Sequence, residues 1–267
     1  MGFKVKNIEL KTGMYILYVE QGSPDGIPVI LLPGYTDSWH VFEPMLPYLP
    51  KSLHAFSLTQ RGYGDATKPE KGYTIENYAE DVIVFMNKLD LKSAVLIGGS
   101  SGGIVARHIA IEHPDRVLGI IFLGSPSTLR KNKRVRQVWE DKISQLTDPV
   151  DPVFVRDFIE STIYQPVPKV FVDKMVQDSL KVPARVWQAT LQGLMNDKSY
   201  NKIDLIKVPV LIIWGDGDTV LPKEDQELLK ETIPDAKLVI YPNAGHVFYI
   251  EQPDRVASNI IKFIESL

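Results

Sequence analysis

The sequence predicts an α/β protein, in which a mostly parallel sheet carries helices on both faces and is interrupted by a helical insertion. Three observations predict it. Short apolar runs bounded by Gly and Pro recur along the chain, and helical patterns fall between them. Then, for roughly 80 residues, far more than an ordinary loop takes, the alternation stops. Parallel strands need a crossover connection that a helix supplies, so strand–helix alternation implies a parallel sheet covered on both sides.

Taken in order, residues 1–10 alternate apolar with polar, as a half-buried strand does. Apolar runs follow at Ile27–Leu32, 53–58, 94–97, Val117–Leu123, 208–214 and Lys237–Tyr241. Several are apolar at consecutive positions, which suits strands covered on both faces. A helix is expected over 74–91, with Thr74 as N-cap and Asn77, Tyr78, Val82 and Phe85 at helical spacing. Others are expected over 102–113, 222–232 and 254–267. The core is therefore assigned to 1–124 and 208–267.

Residues 125–207 contain no convincing strand. They hold helix signals instead: Asp151 as N-cap before Pro152, then 168–180 and 183–196, each opened by a proline. This stretch is expected to form a helical lid over the C-terminal edge of the sheet, where ligands of open α/β sheets bind. Its apolar faces carry Trp139, Phe154, Phe158, Phe171, Met175, Trp187, Leu191 and Met195. Trp139, Phe158 and Trp187, with Val247 of the core, are the candidates for substrate contact.

Composition narrows the function. Among 267 residues, 44% are apolar and 24% charged, a balance typical of a folded globular protein. The net charge of −3 supplies no basic stripe for nucleic acid and no polybasic patch for acidic lipid. With no cysteine, disulfides, thiolate metal sites and cysteine nucleophiles are excluded. No apolar run reaches the ~18 residues of a membrane span. The first residues read as a strand and not as a signal peptide. The expected location is the cytoplasm.

The chemistry is carried by Gly98-Gly99-Ser100-Ser101-Gly102, at the point where the run 94–97 turns into a helix. A serine hydroxyl is a weak nucleophile unless it is lifted clear of the sheet and given a base. A sharp strand-to-helix turn lifts it, and needs small residues two before and two after the serine. Glycine-rich turns of this kind also cradle phosphates, so the motif needs company. Gly215-Asp216-Gly217-Asp218 places carboxylates at the end of another strand, and His246 lies in the loop after the last strand. The order is Ser, Asp, His.

Other readings are weaker. Ser101 shares a Gly-x-Ser-x-Gly frame, but a strand ending at Ile97 puts Ser100 at the apex. His108 and His113 lie five apart, off the spacing that places two ligands on one helix face. Gly62-Tyr63-Gly64 lacks the third glycine of a dinucleotide fingerprint, and Pro69 blocks an immediate helix. His40 and His54 read as packing or surface residues. The run from Arg130 to Arg134 reads as a solvated face.

With these stretches, Leu32-Pro33-Gly34-Tyr35-Thr36-Asp37-Ser38-Trp39, Gln60-Arg61-Gly62-Tyr63-Gly64 and Ala244-Gly245-His246 followed by Glu251-Gln252-Pro253, the chain resembles the α/β-hydrolase superfamily. The likeness covers nearly its whole length. It looks like the lid-bearing branch that includes small esterases, cofactor-free haloperoxidases and carbon–carbon bond hydrolases. The resemblance implies an eight-stranded sheet and a triad of Ser100, Asp218 and His246. It implies Tyr35 and Ser101 as backbone oxyanion donors. Pro33 and Gly99 stand where the family usually has His, which alters the shape of the oxyanion loop and the pocket. Epoxide hydrolases and haloalkane dehalogenases share the lid but use an Asp nucleophile, which Ser100 is not.

The expected activity is hydrolysis of a carboxylic ester or related acyl bond, without cofactor or metal, on a small, mainly apolar acyl substrate. The alternatives are a lactonase or thioesterase, a carbon–carbon bond hydrolase, a perhydrolase, and a ligand receptor that barely turns over.

Overall fold

The computed structural model describes residues 2–10 and 13–267. Met1, the first residue of the expected N-terminal strand, lies outside them. Eight strands form one sheet in the order β1-β2-β4-β3-β5-β6-β7-β8. They are β1 Lys6–Glu9, β2 Tyr15–Gln21, β3 Ile27–Leu32, β4 Leu53–Thr59, β5 Ala94–Gly99, β6 Val117–Leu123, β7 Val210–Gly215 and β8 Lys237–Tyr241. β1 and β2 pair antiparallel, as do β2 and β4, and every other pairing is parallel. β2 is not among the apolar runs picked out above.

Burial follows position in the sheet. β5 and β7 are buried at every residue, whereas the edge strands β1 and β8 alternate or stay half-exposed. The difference is what the sequences ask for: Ala-Val-Leu-Ile has no polar side to give to water, and Lys-Asn-Ile-Glu has. Helices α1 Ile75–Lys88, α2 Ser101–Glu112, α7 Lys223–Thr232, α8 Phe248–Glu251 and α9 Pro253–Ile264 belong to the core. At the start of α1, the Thr74 N–H donates to Asn77 Oδ1 at 3.3 Å.

Four helices lie within 125–207: α3 Lys133–Asp141, α4 Pro152–Glu160, α5 Lys169–Leu180 and α6 Ala184–Asn196. Asp151 caps α4 by accepting from the Val153 N–H at 2.9 Å. Pro168 and Pro183 directly precede α5 and α6. No strand occurs among the described residues of this stretch. α3 begins inside the basic run read as a solvated face. A short 3₁₀ segment, Ser199–Leu205, returns to the core and packs on α2.

Two features place the site. The chain leaves β3 for β4 on one side and re-enters at β5 on the other, so β3 and β5 are neighbours across a switch in direction. Such switches open a crevice at the strands' C-terminal ends. The parallel register aligns those ends: Leu32 opposite Gly98, Gly99 opposite Leu123, and Gly215 opposite Tyr241. The loops after β3, β5, β7 and β8 therefore meet along one edge.

Candidate active site

Ser100 stands between β5 and α2 with φ +49° and ψ −122°, a conformation that a residue with a Cβ rarely adopts. Crowding explains the glycines around it. A Cβ on Gly98 would lie 2.3 Å from the Gly103 Cα, and one on Gly102 2.2 Å from the Leu32 carbonyl oxygen. The turn is thus closed by backbone packed against backbone, and the strained serine is held by a bond from its N–H to Leu123 O at 2.9 Å.

The Ser100 Oγ lies 2.9 Å from His246 Nε2, and His246 Nδ1 lies 2.7 Å from Asp218 Oδ2. The other oxygen of Asp218 accepts from the N–H groups of Val220 and Leu221, at 2.7 and 2.9 Å. These bonds fix the carboxylate and leave one oxygen for the imidazole. Asp216 does something else: its Oδ1 accepts from the Asn243 N–H at 2.6 Å, tying the β7 loop to the β8 loop.

His246 is held in turn from the insertion. Its N–H donates to Thr162 O at 2.9 Å. Glu251 accepts from the N–H of Gly245 at 2.9 Å and of Tyr164 at 2.7 Å, so one carboxylate clamps the histidine loop to the end of α4. Burial alone would push the imidazole pKa down. The charge of Asp218 and its hydrogen bond outweigh burial, and the net shift is upward.

Tyr35 and Ser101 both face this crevice. Ser101 opens α2, so its N–H belongs to the helix turn that has no carbonyl partner within the helix. Tyr35 lies in a tight turn closed by the Asp37 N–H on Gly34 O at 3.3 Å, whose next residue, Thr36, has φ +63°. A β-branched residue is disfavoured there. Ser179 of α5 compensates, donating to Thr36 O at 3.2 Å. The Tyr35 hydroxyl donates to Trp187 O at 2.5 Å.

A cavity opens above Ser100, walled by the sheet-edge loops on one side and the insertion on the other. Phe158 and Val247 line it, with Met175 and Leu191 from the apolar faces noted in the sequence. Trp139 and Trp187 do not. Trp187 is fully buried and stacks edge-on behind Tyr35 and Phe158, at ring separations of 5.2 and 5.4 Å. It supports the wall from behind. Trp139 is half-buried against the core on the α3 turn that offers Val135 and Val138 to the cavity.

Four side chains enter the site that the sequence reading did not single out: Asp37, Glu251, Tyr249 and Arg134. Asp37 lines the cavity, and burial pushes its carboxyl up to about 7, against the pull of His246. Arg134, from the basic run, reaches the cavity and donates to Thr219 O. Val135, Val138 and Trp139 stand at i, i+3 and i+4, so the α3 stripe that carries Arg134 there is visible in the sequence. The four Lys and Arg residues in the run from Arg130 to Arg134 mask it. His40 is neither simple packing nor free surface: its Nδ1 lies 2.6 Å from Asp178 Oδ2.

The comparisons with known proteins agree with this architecture. The sequence profile of the Alpha/beta hydrolase family matches residues 29–259, and the chain belongs to that family. It is 27% identical over 267 residues to the AB hydrolase superfamily protein YisY of Bacillus subtilis, covering 96% of this chain and 98% of that one. It is 26% identical over 269 residues to a monoacylglycerol lipase (ABHD6) of Bos taurus, covering 94% of this chain and 79% of the lipase. Its fold superimposes on an esterase from Exiguobacterium antarcticum with a TM-score of 0.86 at 23% identity, covering 99% and all of the respective chains. Among the described residues no helix is long and apolar enough to cross a membrane.

Proposed function

We propose that the chain is a serine hydrolase that cleaves a carboxylic ester or related acyl bond through Ser100, His246 and Asp218. The observation that carries this reading is the unbroken hydrogen-bonded chain from the Ser100 Oγ to Asp218, set at the floor of a cavity whose walls are mostly apolar. The family to which the chain belongs, and relatives described as lipases, support it.

In this reading His246 Nε2 takes the serine proton as Oγ attacks the carbonyl carbon. The carbonyl π electrons pass to oxygen, and the Tyr35 and Ser101 N–H groups receive the oxyanion, each donor contributing ~3 kcal/mol to lowering the barrier. Collapse expels the alcohol, which takes its proton from Nε2. Water then attacks the acyl-enzyme by the same steps in reverse. Asp218 keeps Nδ1 as the donor, so that Nε2 stays free to accept. Residues 125–207 act as a lid, and the cavity they roof takes a mainly apolar acyl group.

Two measurements test this reading together. A fluorophosphonate should add one phosphonyl mass to Ser100, and a panel of p-nitrophenyl esters, thioesters and lactones should show turnover. Ser100→Ala should abolish the label and lower the rate by ~10³-fold or more. A label on Ser101, or undiminished turnover in Ser100→Ala, overturns the assignment.

A further inference from the structure

Two buried polar groups beside the nucleophile have no use in the hydrolytic chain. The first is Asp37, 8% exposed, whose carboxyl lines the cavity. A Cβ built on Gly34 would stand 3.1 Å from its Oδ2 and 3.2 Å from the Ser100 Cβ, so carboxyl and nucleophile flank the same point of the loop. Burial raises its pKa; the charge of His246 works against that and the charge of Asp178 adds to it.

The second is Tyr249, which is fully buried and lines the same cavity. Its hydroxyl has no hydrogen-bond partner among the described residues. It lies 3.0 Å from where a Cβ on Gly99 would stand, and the carbonyl of Gly99 is in turn 3.5 Å from the Cβ position of Gly34. The side-chain-free Gly99 is what leaves the phenol room. A buried hydroxyl without a partner, as on Tyr249, costs desolvation with no return unless a ligand supplies the partner.

We propose that Asp37 and Tyr249 form a hydroxyl-binding subsite, and that the preferred substrates are esters of hydroxy acids. One hydroxyl satisfies both groups, donating to the Asp37 carboxylate while accepting from the Tyr249 phenol. An ammonium fits less well, since the walls are apolar and His246 becomes a cation as the serine proton moves. The leaving alcohol must lie against His246 Nε2 to be protonated. The Gly34–Gly99 side of Ser100 is therefore left to the acyl group, and the hydroxyl belongs a few carbons from the carbonyl.

The inference rests on the ester-cleaving reading for its substrate, and its test is chosen to fail separately. In Ser100→Ala protein, binding of methyl 3-hydroxyhexanoate, each enantiomer in turn, is compared with methyl hexanoate by NMR titration. At a pH of about 8.5, where a carboxyl held at about 7 is ionised, one enantiomer should bind ~10-fold or more tightly than the plain ester, the advantage expected of a hydrogen bond to a charged acceptor. Adding Asp37→Asn or Tyr249→Phe should cut that advantage to about 2-fold or less. Equal binding of the hydroxylated and plain esters overturns the subsite. An advantage untouched by both added substitutions removes it from these residues. An advantage present in Ser100→Ala, with no turnover of either ester or of the p-nitrophenyl ester, thioester and lactone panel by the unsubstituted protein, sustains the subsite and sinks the ester-cleaving reading instead.

Discussion

Asp216 and Asp218 share one short turn, yet their carboxylates hold different things. Asp218 orients His246, and Asp216 ties two loops together. Asp218→Asn should lower kcat by up to ~10⁴-fold while the fold survives, because an amide there favours the wrong imidazole tautomer. Asp216→Asn should cost ~10-fold or less, through loop geometry alone. Steady-state kinetics on both variants, with circular dichroism to confirm folding, check the ranking; the reverse order would move the role to Asp216. On the proposed mechanism the pH profile is set by His246, which must be neutral to accept the proton. Its pKa is raised, so activity should be lost on the acid side and climb with pH through a group above the ordinary 6.5. A limb at or below 6.5 in kcat/KM would contradict that direction. Ser100 and His246 were legible because their turns need marked residues: glycines where backbones touch, and a loop after the last strand. Asp37 was not. It lies two residues beyond the expected oxyanion donor Tyr35, but a lone carboxylate in a loop carries no spacing that separates a cavity wall from a solvated turn.

At the scale of elements, the insertion is fastened to the core at points that periodicity does not show. Arg107 of α2 is 1% exposed and holds both ends of the insertion at once. It donates to Ser127 O at 2.5 Å near the start, and to Asp197 Oδ2 at 2.7 Å and Ser199 Oγ at 3.1 Å near the end. Arg107→Met would leave the Asp197 carboxylate buried and unpaired, and should destabilise the fold by about 3–5 kcal/mol in urea unfolding. A second fastening joins α5 to the loop after β3, where Asp178 accepts from Ser38 at 2.5 Å and pairs with His40 at 2.6 Å. Burial alone would raise the Asp178 carboxyl; the bonds from His40, Ser38 and Lys181 outweigh it and hold it at about 2. A depressed carboxyl stabilises the fold fully above its unfolded value near 4, and that contribution fades as pH falls toward 2. Asp178→Asn should therefore cost about 2 kcal/mol at pH 7 and almost nothing at pH 2, read from unfolding midpoints. A penalty equal at both pH values would refute it. The strands that walls of apolar residues define were legible, as were the helices opened by Asp151, Pro168 and Pro183. β2 was not singled out, although Tyr15–Gln21 is largely apolar, because it mixes a buried face with a half-exposed one.

At the scale of the whole molecule, sheet edge and insertion together make a cavity that neither makes alone. Ser100, Asp37, His246 and Val247 come from the sheet loops, while Phe158, Met175 and Leu191 come from the insertion. The sequence pattern distinguishes a helical insertion from a sheet, but not which of its aromatic residues face the hole. Trp187 shows why: on an amphipathic helix, the apolar face that lines a cavity and the face that packs behind the wall are written in the same residues. The structure separates them. Phe158 touches the cavity; Trp187 stacks against Phe158 and Tyr35 and touches only protein. The two substitutions should therefore diverge. Phe158→Ala removes a wall, so the preferred acyl chain should lengthen by several carbons, while the stability cost stays small because the space opens into the cavity. Trp187→Ala removes a fully enclosed ring and should cost about 3–5 kcal/mol, the range for aromatic truncation in a packed core. It would also loosen Tyr35, whose ring loses its edge-on partner while its hydroxyl keeps the backbone carbonyl of residue 187, and whose N–H is a proposed oxyanion donor. kcat should then fall across all chain lengths, with no shift in the optimum. Initial rates over a series of p-nitrophenyl esters, set beside urea midpoints, measure both effects. A shifted optimum in Trp187→Ala with an unshifted one in Phe158→Ala would reverse the assignment of wall and support.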